Sequence, residues 1–99
     1  MRAGPHVAMD DQVITAEMAA TLHQRALDLG AMTVWVISTA EPDHPGVLVA
    51  RLITQVATPY ALTAATLPEL RGKLPPGLVR SERQPADPKN VVEVWVCEA

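Results

Sequence analysis

MTVWVIST, residues 32–39, is a β-branched and aromatic run that carries apolar residues on both sides of an extended chain. A strand of this kind belongs in the middle of a sheet, because each of its faces needs cover. The next apolar run, VLVARLITQV at residues 47–56, alternates: Leu48, Ala50, Leu52 and Val56 share one face, and Val47, Val49, Arg51 and Ile53 the other. Thr58-Pro59 reads as a break, after which YALTA (60–64) forms a third strand pairing back on the second. VVEVWVC (91–97) closes the chain as a last strand.

Two helical patterns flank these strands. Met18, Ala19, Leu22, Ala26 and Leu29 recur at helical spacing, with Thr15 as a cap and Gly30 as a left-handed stop, which predicts a helix over 15–29. Thr66 followed by Pro68 and Glu69 has the form of a capping box, and Leu67, Leu70 and Leu74 supply the apolar stripe of a short helix ended by Pro75. Pro76-Gly77 suits a type II turn. The expected fold is α+β: a single small domain in the order α-β-β-β-α-β, with a mostly antiparallel sheet of three to four strands and helices packed on it. A crossover after the second helix puts the last strand beside the first, giving the spatial order third-second-first-last. Residues 1–14 read as a disordered or tag-like N-terminus, 15–31 as an appended helix and 32–99 as the compact module.

Composition narrows the function. The 99 residues contain no Phe, one Tyr and two Trp, so aliphatic side chains must fill the core. The net charge of −3 does not suit a protein that coats nucleic acid through many phosphate contacts. The single cysteine, Cys97, makes no disulfide within the chain and has no Cys/His partner at zinc spacing. No apolar run reaches the ~18 residues that span a bilayer. These features predict a cytoplasmic protein with no membrane association, no metal and no cofactor.

The candidate sites are few. AEPDHPG (40–46) brings Glu41, Asp43 and His44 together, but two prolines and Gly46 between strands make a hairpin tip, and His6 and His23 lie at no ligand spacing from it. Ser38, Ser81 and Cys97 stand in no nucleophile motif, and the dispersed glycines form no phosphate loop. His23 is read as a residue at the helix boundary, with a titrating switch as the other option. QPADP (84–88) carries a PxxP spacing and is read as a rigid loop. Arg71, Lys73, Arg80 and Arg83 form a basic patch that could meet an acidic partner or a nucleic-acid backbone, although Arg71 and Lys73 also suit a helix C-terminus.

The most informative feature is an excess of apolar surface. With Val47, Val49 and Ile53 on one face and Val91, Trp95 and Trp35 alternating in their own strands, both faces of the sheet are apolar, and a helix of two turns covers one at most. The expectation is a small, non-enzymatic protein-interaction module of bacterial accessory type: a homodimer, an accessory subunit or an inhibitor. The alternative is nucleic-acid association or a HicB-like antitoxin-type domain, and the third reading is a small enzyme with its site at Asp43 and His44. The order α-β-β-β-α resembles that of double-stranded-RNA-binding domains, and β-β-β-α-β resembles the partner-binding domain of HicB-type antitoxins; both resemblances are of element order alone.

Overall fold

The computed structural model of the chain describes residues 12–54, 57–81 and 88–97. Thr15 caps the first helix, α1 (Ala16–Asp28), its hydroxyl oxygen accepting from the Met18 N–H at 3.1 Å. Past the C-cap Leu29, Gly30 takes φ +78° and donates to the Leu27 carbonyl, while Ala31 donates to that of Ala26. This paired closure is the Schellman arrangement that the glycine permits. The second helix, α2 (Leu67–Lys73), is capped by Thr66 and carries Pro68 in its first turn, where a missing N–H costs nothing.

Six strands form one mixed sheet: β1 (Gln12–Val13), β2 (Val34–Ser38), β3 (Leu48–Ile53), β4 (Ala57–Ala64), β5 (Leu78–Ser81) and β6 (Val91–Cys97), in the spatial order β1-β4-β3-β2-β6-β5. The expected order third-second-first-last is present as β4-β3-β2-β6, and the two tryptophan strands are neighbours, Trp35 opposite Trp95. The expected count of three to four strands is too low. β1 pairs parallel to β4, so Gln12 and Val13 join the sheet, while residues 1–11 lie outside the described residues.

β5 was not expected at all, and it changes the topology. The chain leaves β4 through α2 and enters β5 at the far edge; β6 then returns antiparallel between β5 and β2. A four-residue strand between Pro76-Gly77 and a charged loop, with Leu78 and Val79 on opposite faces, has too little pattern to be seen.

Two boundaries also move. β3 stops at Ile53 rather than Val56, which lies outside the described residues, and β4 begins at Ala57, ahead of the expected break at Thr58-Pro59. Pro59 is accommodated where the β3–β4 register shifts, since a proline has no N–H to give a regular ladder.

The core lies on one side of this sheet. Trp35, Ile37, Ala50, Leu52, Leu62 and Ala64 meet Ala19 and Leu22 of α1 and Leu67, Leu70 and Leu74 of α2 in one cluster. Both helices therefore cover the same face.

The glycines at a turn and in a helix make opposite predictions. At Gly77, with φ +87°, alanine should cost about 1–2 kcal/mol for the left-handed backbone. In α2, Gly72→Ala meets open space and should stabilise by about 0.5–1 kcal/mol. Urea unfolding of the two variants measures both signs.

Candidate interaction surface

The side of the sheet away from the helices is built from three cross-strand rows. Thr63, Val49, Ser38 and Val91 form the first; Val13, Ala61, Arg51, Val36, Val94 and Ser81 the second; Ile53, Val34, Val96 and Val79 belong to the third. The first row is closed, with Val49, Ser38 and Val91 all buried.

The hairpin loop lies at this closed end. Glu41, 13% exposed, grips Arg51 of the second row through Nε and Nη2, and Thr39 and Asn90 exchange hydrogen bonds of 2.9 and 3.1 Å. Glu41 is thus a half-buried ion-pair partner and not part of a solvated tip. Asp43 remains exposed, and the His44 N–H donates to the Glu41 carbonyl, as a turn requires. Among the described residues, no three His, Cys, Asp or Glu side chains converge to hold a metal.

Beyond that loop the face is open. Val34, Val36, Ile53, Val94 and Val96 are half-buried, and Val79 and Val13 at the two edges are 45% and 56% exposed. Among the described residues, the charged side chains placed here are Arg51 and Glu41, which pair with each other.

Of the residues expected to form this surface, only Ile53 lies within the open patch. Val47 precedes β3 and is half-buried, while Val49 and Val91 sit in the closed row. Trp35 and Trp95 are on the opposite side, in the helix-covered core. The cause in β6 is a bulge: Ile37 pairs with Glu93 but Ser38 with Val91, leaving Val92 as an extra residue packed on the core. Alternation therefore fails, and Val91 and Trp95 face opposite ways. Val34, Val36, Val94, Val96 and Val79 are the residues that sequence reasoning missed. Their signal was size, since the bulkier Trp35 and Ile37 of the same strand take the side where helices must be packed.

The basic residues serve the fold. Glu93, buried on the helix side, accepts from Arg71 Nε at 3.0 Å, from Arg71 Nη2, from Arg80 Nη1 at 3.0 Å and from Trp95 Nε1 at 2.9 Å. Lys73 Nζ donates to the Thr63 carbonyl at 2.8 Å, tying α2 to β4. Arg83 lies outside the described residues, as do residues 84–87 of the PxxP segment. A lone carboxylate in an apolar strand was the available clue, because a buried charge needs partners.

Cys97 opens on a different feature. With Leu27, Gly30, Ala31 and Met32 it lines a largely apolar pocket of about 370 Å³ at the end of α1.

The Arg71 hydrogen bonds hold the Glu93 carboxyl at about 2, well below its ordinary 4.5, which corresponds to about 3 kcal/mol of stability. Because the folded value is depressed, that contribution is complete above pH 4.5 and is lost as the pH falls towards 2. Glu93→Gln should cost about 2 kcal/mol at neutral pH, a Tm lower by roughly 8–16 °C, with the gap to wild type closing below about pH 3. Thermal melts across that range read the effect.

No protein-family model matches the chain, and no curated protein or solved structure matches it. With β5 inserted after α2, the β-β-β-α-β order becomes β-β-β-α-β-β, and the resemblance of element order to HicB-type domains no longer spans the sheet.

Proposed function

We propose that the chain is a protein-interaction module that acts by contact rather than catalysis, and that its partner is a second copy of itself, docked through the open valine face. The observation that carries this reading is the one-sided core. α1 and α2 share a face, which leaves Val34, Val36, Ile53, Val94, Val96 and Val79 as a continuous apolar surface with no cover from either helix.

Charge supports self-association. Arg51 and Glu41 neutralise each other beside the patch, so the surface neither selects an oppositely charged partner nor repels its own copy, despite the chain's net charge of −3. The side chains support it as well, since sheet faces carrying short β-branched side chains pack face to face about 10 Å apart. The edges are less suited: β1 and β5 have two and four residues, too short for a long edge-to-edge ladder.

Size sets the expected strength. Two rows across four strands span on the order of 300 Å², within the range of functional apolar patches but well below the ~800 Å² that each partner contributes to a standard stable interface. The dimer is therefore expected to be weak, with a Kd in the micromolar range or above.

Nucleic-acid association is not favoured, because Arg71 and Arg80 are bound to Glu93 and Lys73 to a backbone carbonyl.

Sedimentation equilibrium of the full chain should give one chain mass when dilute and approach two at millimolar concentration. Val36→Lys, at the centre of the patch, should keep the far-ultraviolet spectrum of the fold and remain at one chain mass. A wild-type mass fixed at one chain throughout removes the second copy as the partner.

A further inference from the structure

His23 is buried between α1 and the sheet, with 3% of its surface exposed. Its Nδ1 lies 3.0 Å from the Thr33 hydroxyl, and its Nε2 is buried with no hydrogen-bond partner; Trp35 Nε1, two residues along the strand from Thr33, is likewise unpartnered. Either protonation state leaves Nε2 as the one unpaired ring atom, but a neutral imidazole brings no charge into the site, whereas an imidazolium would place a full charge where burial removes the water that solvates it.

α1 is poorly placed to absorb that penalty. Within the helix only Ala19 and His23 are buried, with Leu22 packed against the core at its margin. A helix held by so little apolar area belongs to the low end of local stability. α2 differs, being fixed by the Arg71–Glu93 pair and by Lys73 on Thr63.

We propose that His23 is a proton-operated latch: its protonation releases α1 from the sheet in mildly acidic conditions, while α2 stays docked and the strands stay paired. Release uncovers Trp35 and its neighbours on the helix side, a second apolar surface available only below neutral pH. The device does not depend on self-association through the valine face.

The charged surroundings agree. On α1 itself Glu17, Arg25 and Asp28 are exposed. On the sheet side Thr33, just before β2, and Trp35 of β2 do not titrate, β4 offers Tyr60, and β6 offers Cys97 and Glu93, the latter held by Arg71 and Arg80. None of these titratable groups hydrogen-bonds the imidazole. Burial lowers the His23 pKa from 6.5, so the folded state resists the proton that the released state accepts. Docking is then strongest above pH 6.5 and weakens as the pH falls below it. Glu93 stays ionised across this window, down to about 2.

Amide hydrogen exchange of the full chain, corrected for intrinsic rates, compares α1 with β2 and β6 near pH 7.5 and near pH 5.5. With an open-state value of 6.5 and a lowered value when docked, protection in α1 falls relative to the strands, by at most about tenfold. His23→Gln, which keeps a polar contact for Thr33 but takes no proton, should abolish that difference. Loss of protection in α1 and the strands together, no loss in α1, or a loss that persists in His23→Gln overturns the latch. Should the variant fail to fold, the wild-type imidazole resonance decides: titration below pH 6.5 in step with α1 shifts supports the proposal, and a midpoint at 6.5 or above overturns it.

Discussion

Trp35 and Trp95 stand opposite each other on the neighbouring strands β2 and β6, and their bulk decides which side of the sheet receives the helices. A chain without phenylalanine has few large side chains with which to fill a core, so the tryptophans, with Leu62 and Leu70, must lie where the helices close over them. α1 and α2 both dock there. The valines that alternate with those residues are left on the far side, and the apolar second face follows from this choice of side.

The bulge in β6 carries the same logic to the charged residues. By adding Val92 to the strand it brings Glu93 round to the helix side, within reach of Arg71 from α2 and Arg80 from β5. One carboxylate thus joins three elements that are distant in sequence. Arg71 and Arg80 remain partly exposed, which reduces the cost of burying Glu93 among them. The helix at the other end of the same face has no such tie, and it rests on Ala19, Leu22 and His23. The two helices are therefore fixed by different chemistry and respond to acid in different ranges.

Much of this architecture was legible in the residues. Thr15 and Gly30 mark the limits of α1, Thr66 and Pro75 those of α2, and the apolar runs at 32–39, 47–56 and 91–97 locate the central strands in their observed order. β5 was not legible, because its four residues alternate in no visible pattern and its pairing with β6 is a tertiary event. The bulge was hidden for a similar reason: VVEVWVC reads as strict alternation, and only the partner strand shows that Val92 is extra. That an apolar surplus exists could be seen, whereas the residues forming it could not be named without knowing which face the helices take. Ile53 was identified and Val34, Val36, Val94, Val96 and Val79 were not.

The central claim is that the helix-free face is where this protein meets its own copy. Nuclear Overhauser contacts between isotope-labelled and unlabelled chains, mixed at high concentration, test it most directly because they name the touching atoms. The account predicts contacts between copies from the methyl groups of Val34, Val36, Val94 and Val96. Contacts arising instead from Met18, Leu29 or Met32 on the helix side, or none at millimolar concentration, would contradict it.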